Sequence, residues 1–326
     1  MLMIFKNPAY DFIGKRRWAY AVSIVVMLVG LVSMYVKGGL QYDIDFTGGT
    51  LVQVRLQRPL PIAEIRTRLV PAGLGESIIQ IFDDPRDVLI RTQHSADNAT
   101  ELSQRIARAL DPGGDAAPEV RRVESIGPQI GAELRLQALY AVLASLGGIL
   151  LYVWFRFDFR GGVVTIISLA HDVLICLGML SLTNREFSLT VLAALLTVIG
   201  FSVNDRIVMY DRLREIQKAG ASLKGITFAQ QVNLAVNQTL SRTVLTVATV
   251  AMSAGMLFLF GGQSLESFGF VILVGAITGT TSTVYVAGAL DVDWSAWADR
   301  HRGRQFPSGG QGSARRTKAV RSRASQ

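Results

Sequence analysis

The chain has 326 residues, of which 50% are hydrophobic and 18% are charged, and its mean hydropathy is +0.34. This composition excludes intrinsic disorder of the whole chain and is too apolar for an ordinary soluble domain. The net charge of +8 fits either a nucleic-acid-binding protein or a membrane protein with basic cytoplasmic flanks, and the single cysteine, Cys176, excludes an intramolecular disulfide framework.

The distribution of charge favours the membrane protein. A spanning helix needs about 20 consecutive apolar residues. Six segments of this kind predict six transmembrane helices, at residues 18–36, 136–155, 162–183, 187–208, 243–262 and 267–290. The first is longer than the apolar region of a signal peptide, about 7–15 residues, so we expect it to remain in the protein.

Basic residues flank alternate spans, which predicts an orientation with both termini in the cytoplasm. Residues 1–17 then form a cytoplasmic N-terminus, residues 37–133 lie in the periplasm, and residues 134–290 carry the other five spans. Residues 291–326 are predicted to be a basic, disordered cytoplasmic tail. Within it, residues 300–326 hold eight basic residues and no acidic one, which equals the whole net charge. Because this charge is not on a folded face, no specific nucleic-acid partner is expected.

Residues 37–133 predict a small α+β domain. Their order is strand 51–55, helix 62–69, strands 78–82 and 88–91 around a turn, helix 99–110 and strand 120–123. This β-α-β-β-α-β order matches a ferredoxin-like fold. The domain shows no catalytic constellation, and His94 is isolated, so we expect no enzyme, no metal site and no cofactor.

Asp172 lies near the middle of the third span. A carboxylate at that depth is expensive and therefore marks a candidate functional residue. The alternative is a structural role, either as a protonated side chain bonded between helices or as a permanently paired one. The adjacent His171 could share its proton or could simply pack between helices.

The fourth span ends in Asn204, Asp205 and Arg206, about 10 Å nearer the cytoplasm than Asp172 by helical rise. The side chain of Arg206 is long enough to reach the bundle centre, which makes it the best candidate partner for Asp172. It could equally extend to the lipid headgroups. Asp205 could pair with Arg206 or with Arg212, and Asn204 is a possible supporting residue.

Glycines mark two further features. Gly275 and Gly279 form a GxxxG pair followed by Thr and Ser residues, a pattern that permits close helix contact. The segment 46–50 contains Gly48 and Gly49 but lacks the Lys and the strand–loop–helix order of a phosphate loop, which excludes nucleotide binding there.

Several blocks of sequence, in this order and spacing, resemble the SecF members of the SecD/SecF protein-export family. The resemblance runs from about residue 5 to residue 290. It rests on Asp45-Phe46-Thr47-Gly48-Gly49-Thr50, on residues 123–131, on the pair His171-Asp172, on residues 199–215 and on residues 237–243.

This resemblance implies a bacterial inner-membrane subunit that pairs with SecD in a twelve-helix assembly. It also implies association with the SecYEG channel and with preproteins of the SecA pathway, and it makes YajC a candidate partner. Protons would drive the completion of export after the ATP-driven SecA step, through the proton-motive force, with Asp172 and Arg206 as the proton relay. Two alternatives stay open: a half-size exporter of small molecules or lipids of the resistance-nodulation-division type, and a structural stabiliser of the channel without proton coupling.

Overall fold

The computed structural model describes residues 8–81, 84–92, 99–111, 117–157, 159–219 and 226–305, without the side chains of 263–264 and 302–305. Ten α-helices are assigned within these ranges: α1 Arg16–Val36, α2 Ile44–Thr47, α3 Ile62–Leu69, α4 Ala99–Leu110, α5 Pro128–Arg156, α6 Phe159–Leu182, α7 Leu189–Lys218, α8 Phe228–Phe260, α9 Gly262–Thr281 and α10 Gly288–Gln305. A π-helical segment, Ser282–Ala287, joins α9 to α10. The strands are β1 Gly49–Arg55, β2 Ile78–Ile81, β3 Asp87–Thr92 and β4 Glu119–Ile126.

Six helical stretches in the described ranges are long and apolar enough to cross a membrane, which confirms the predicted number of spans. The helices extend beyond the apolar segments from which they were predicted. Helix α5 begins at Pro128 and α8 at Phe228, well before residues 136 and 243. At α8 the extension has a local cause, because Thr227 and Gln230 form a capping box that starts the helix in polar sequence.

The helix that contains the sixth predicted span continues beyond residue 290, through the π segment and α10 to Gln305. Residues 291–305 are therefore helical, and their predicted disorder is wrong. The charges that end the apolar run are paired: Asp291 lies 3.2 Å from Arg160, and Asp293 lies 3.0 Å from Arg16. The rest of the predicted tail, residues 306–326, lies outside the described residues.

The domain between α1 and α5 confirms the predicted ferredoxin-like fold. Its sheet has the order β2-β3-β1-β4 with every neighbouring pair antiparallel. Helices α3 and α4 cover one face of the sheet, and the core between them includes Val52, Ile65, Ile90 and Ile106, all fully buried. His94 lies outside the described residues.

In the membrane bundle, only a helix that is surrounded by other helices can bury its polar side chains. Half of the apolar stretch of α6 is buried, but only 6% of that of α1 or α5. Helices α7 and α9 pack against each other at the predicted GxxxG pair. A Cβ on Gly275 would lie 2.2 Å from Val198 Cγ2, and one on Gly279 would lie 2.9 Å from Ser202 Oγ. These glycines therefore bring the α9 backbone against α7, next to the residues that form the site.

Candidate functional site

Asp172 lies in α6 with 1% of its surface exposed. Its Oδ2 accepts hydrogen bonds from Ser202 Oγ at 2.6 Å, from Arg206 Nη2 at 2.8 Å and from Ser282 Oγ at 2.9 Å. Ser202 and Arg206 come from α7, and Ser282 is the first residue of the π segment. A single carboxylate oxygen therefore ties together three of the spans.

Arg206 forms an ion pair with Asp172, and both side chains are 1% exposed. The structure therefore places the guanidinium in the bundle interior and not at a headgroup level. Arg206 Nη2 also donates to Ser282 Oγ at 2.8 Å. Ser282 thus accepts from the cation and donates to the anion, so that its hydroxyl bridges the two.

His171 contacts the other oxygen of the carboxylate. Its Nδ1 lies 3.1 Å from Asp172 Oδ1, and its side chain is 13% exposed. Among the described residues, no partner is found for His171 Nε2. Both oxygens of Asp172 are therefore occupied, one by hydroxyls and a cation and one by an imidazole ring.

The two remaining predicted residues do not join this site. Asp205 is buried, but its Oδ1 accepts from Thr243 Oγ1 of α8 at 2.7 Å. The ion pair formed by Arg212 is with Glu215, at 2.5 Å, and not with Asp205. Asn204 is exposed on α7. Successive residues of a helix point about 100° apart, which explains why only one of these three neighbours reaches Asp172.

Ser202 and Ser282 are site residues that sequence reasoning missed. Ser202 had a usable signal, because it lies one helical turn before Arg206 and so shares its face. Ser282 follows Gly279 by three residues and is placed by the π segment, whose wider turn changes which side chains face inward. No sequence pattern indicates that change of helix type.

In the part of the chain that the structure describes, no group of three or more His, Cys, Asp or Glu side chains is arranged to hold a metal ion. A buried ion pair is stable only while both partners are present, because each charge alone is costly in an apolar interior. Adding a proton to Asp172 removes the anion and leaves the Arg206 cation uncompensated. The arrangement can therefore convert a proton-binding event into a change of helix packing.

The C-terminal part of the chain, residues 107–297, matches the sequence profile of the protein export membrane protein SecD/SecF, C-terminal. Residues 37–59 match the SecD/SecF GG motif. Among similar curated proteins, the protein translocase subunit SecF of Desulfurispirillum indicum is 42% identical, with 87% of this chain and 91% of that protein covered. The subunit of the same name from Pseudomonas aeruginosa is 39% identical, with 88% and 92% covered.

A solved structure has the same fold: the crystal structure of SecDF, a translocon-associated membrane protein from Thermus, has a TM-score of 0.79 and 39% identity. The comparison covers 89% of this chain but 39% of that one, so the chain spans well under half of the SecDF polypeptide. A SecDF structure in a super-membrane-facing form has a TM-score of 0.69 and 37% identity, with 93% and 41% covered. By the extent of both the profile match and the relatives, the chain belongs to the SecD/SecF family of protein-export membrane proteins.

Proposed function

We propose that this chain is the SecF-type subunit of a complex that uses the proton-motive force to complete preprotein translocation after the ATP-driven SecA step. Its partners are a SecD subunit, which supplies the other six spans, the SecYEG channel and the preprotein in transit, with YajC as a further candidate. The chain forms no covalent bond with its substrate and acts as a transport subunit, not as an enzyme. Support comes from the family, from the six spans and from the buried ion pair.

The proposed orientation places both termini in the cytoplasm and the ferredoxin-like domain in the periplasm. Basic residues in the segments 1–17 and 206–242 and after the sixth span support it, because such residues accumulate on the cytoplasmic side. The inner membrane of a bacterium is the corresponding location. In this orientation a proton driven by the membrane potential enters from the side of the domain and leaves toward the basic loops.

The observation that carries the proposal is the set of three donors on one oxygen of Asp172. Protonation of Asp172 removes the charge that these donors stabilise. Arg206 then lacks its counter-ion, so α7 shifts relative to α6 until the cation finds another arrangement. One charge crossing 100 mV releases about 2.3 kcal/mol, enough to change the populations of two packed states substantially. His171 on Oδ1 is the proposed proton donor or acceptor for this step.

Asp172→Asn tests the proposal, because Asn keeps the shape but cannot be ionised. Late-stage preprotein release is measured in membrane vesicles containing the full complex, with and without an imposed proton gradient. The expected result is an assembled complex whose release no longer responds to the gradient. The control is Asp211→Asn on the neighbouring helix α7, which removes a half-buried carboxylate that pairs with Arg156 at 2.6 Å and lies outside the Asp172 site.

Unchanged gradient-dependent release in the Asp172→Asn complex contradicts the proposal and favours a structural stabiliser. Proton-driven efflux of a small molecule by this chain without a second subunit favours the exporter alternative. Copurification of a second six-span subunit in mild detergent supports the proposed assembly.

A further inference from the structure

Direct hydrogen bonds connect the ferredoxin-like domain to the start of α7. The contact is made by residues 41–48, here called the junction segment, and by residues 183–188, the α6–α7 loop. Phe187 N donates to Gln41 O at 2.7 Å, and Asp43 N donates to Phe187 O at 3.0 Å. Two pieces of chain far apart in sequence are therefore paired through their backbones.

The junction segment also caps α7. Leu189 N, at the first residue of the helix, donates to Asp45 Oδ2 at 2.8 Å. Ser188 is the conventional cap of the same helix, with its Oγ accepting from Val191 N at 3.2 Å. A carboxylate at a helix N-terminus is stabilising, because the first backbone N–H groups have no partner within the helix. The N-terminus of α7 is thus capped by Asp45 of the junction segment as well as by Ser188 of its own loop.

Arg91 provides a second link. It lies on β3 with its side chain 7% exposed, donates to Tyr42 O at 2.7 Å and forms an ion pair with Glu186 of the α6–α7 loop. Gln80 of β2 donates to the same carboxylate at 2.8 Å. Burial lowers the pKa of Arg91, and the nearby carboxylate of Asp43 opposes that shift. The sheet of the domain is therefore tied to the loop by a largely buried ion pair.

Close packing leaves the junction segment little freedom to slide. A Cβ on Gly48 would lie 2.7 Å from Pro128 Cα, and one on Gly131 would lie 2.9 Å from Gly48 N. The rings of Phe46 and Phe187 have centroids 5.4 Å apart. The segment is thus enclosed between the start of α5 and the loop that leads into α7.

Helix α7 runs without interruption from Leu189 to Lys218 and carries Ser202 and Arg206, the latter about 26 Å from Leu189 by helical rise. We propose that Asp45 and the Arg91–Glu186 ion pair form a mechanical link through which a shift of α7 at the Asp172 site moves the ferredoxin-like domain. The inference rests on the proposed function. Asp45, Arg91 and Glu186 are positioning residues, since they contact neither the proton site nor the ion pair within it.

The test measures domain position with spin labels. Labels are attached at Gln104→Cys on α4 and Leu259→Cys on α8, both exposed, in a Cys176→Ser background of the full complex in lipid vesicles. Asp172→Asn imitates the protonated site. In the otherwise unmodified protein we expect Asp172→Asn to shift the distance distribution between the labels. With Glu186→Gln we expect that shift to be lost.

Two further variants separate a link from a merely structural contact. Arg91→Glu combined with Glu186→Arg reverses the ion pair and is expected to restore the shift. Arg185→Gln is the matched control, because Arg185 lies next to Glu186 but pairs with Glu266, at 2.7 Å, and not with the domain. It is expected to leave the shift unchanged. If Glu186→Gln does not fold, Asp45→Ala, which removes only the second cap of α7, takes its place.

A full shift that persists in Glu186→Gln or its substitute overturns the inference. The inference is also overturned if Asp172→Asn abolishes gradient-dependent export but does not shift the distance between the labels. The proposed function then holds without the link. If Asp172→Asn changes neither the distance nor export, the proposed function fails with it. Measuring distance and export on the same variants distinguishes these cases.

Discussion

Ser282 Oγ lies 2.9 Å from Asp172 Oδ2, and this hydroxyl is the contribution of the sixth span to the buried carboxylate. It also accepts a hydrogen bond from Arg206 and contacts the Gly279 carbonyl oxygen at 3.0 Å. Ser282 is the first residue of the π segment, where the helix changes its winding. The position of the sixth span is therefore sensitive to the charge on Asp172.

Ser282→Ala is expected to destabilise the protein and weaken the response of export to the proton gradient. The change removes a donor to a buried carboxylate and an acceptor for a buried guanidinium, and hydrogen bonds to charged groups contribute about 1.5–3 kcal/mol. A lower thermal unfolding temperature in detergent and a smaller gradient-dependent increment of export are the two measurements. Ser253→Ala is the control, because Ser253 is exposed and donates within its own helix α8, to the Thr249 carbonyl oxygen. Equal effects of the two substitutions contradict the bridging role.

Arg206→Met is expected to cost about 3–5 kcal/mol of stability, because it leaves the Asp172 carboxylate buried without a counter-ion. Adding Asp172→Asn removes the unpaired charge and is expected to recover most of that loss. Unfolding of the two single variants and of the double variant in detergent gives the coupling free energy of the pair. Additive effects, with no recovery in the double variant, would show that the ion pair is not what stabilises this arrangement. None of these three variants is expected to export in response to the gradient.

The glycine contact between α9 and α7 gives a prediction about packing. Gly275→Ala is expected to destabilise the protein by about 1–3 kcal/mol, because its Cβ would overlap Val198 at 2.2 Å. Val198→Ala in the same chain makes room and is expected to restore much of the loss. Thermal unfolding of the three variants measures the effect. Gly255→Ala is the control: nothing lies within 4 Å of its Cβ position, and Ala is the better helix former. A Gly275→Ala protein as stable as the parent contradicts the close approach.

Much of the architecture was predictable because the membrane imposes it. Apolar segments of bilayer length identify the spans, and the β-α-β-β-α-β order of residues 49–126 identifies the small domain. The approach of Arg206 to Asp172 was also accessible from helical rise and side-chain length. The ends of the helices were not predictable in this way, because a helix can continue through polar residues that follow an apolar run when those residues are paired. Asp291 and Asp293 are paired in this manner.

The rest of the site depends on contacts that have no local pattern. Ser282 reaches Asp172 through a π segment, and Asp45 reaches α7 across residues far apart in the chain. In the sequence, Glu186 stands beside Arg185 in a short loop, and no pattern indicates a partner for it. The structure instead pairs it with Arg91 of the domain, a partner that only the docking of the sheet on the loop provides.

The turn between β2 and β3 gives a prediction about pH. Asp84 accepts from the side chain of Arg86 at 2.8 Å and from its backbone N at 3.0 Å, and these bonds lower the pKa of Asp84 to about 2. Because the folded pKa lies below the unfolded value of about 3.9, the charged side chain stabilises the turn above pH 4. That contribution is lost as the pH falls through 2. Since Asp84 lies at the surface, the effect is small and local.

Asp84→Asn is therefore expected to speed amide hydrogen exchange of β3 at Val88 and Leu89 at neutral pH, relative to the parent at the same pH. The ratio of exchange rates between variant and parent should fall toward one between pH 4 and pH 2, where the parent loses the same charge. Glu64→Gln is the control, because its ion pair with Arg68 lies on α3 and not at this turn. A ratio that stays constant down to pH 2 would show that the hydrogen-bonding geometry of Asp84, and not its charge, holds the turn.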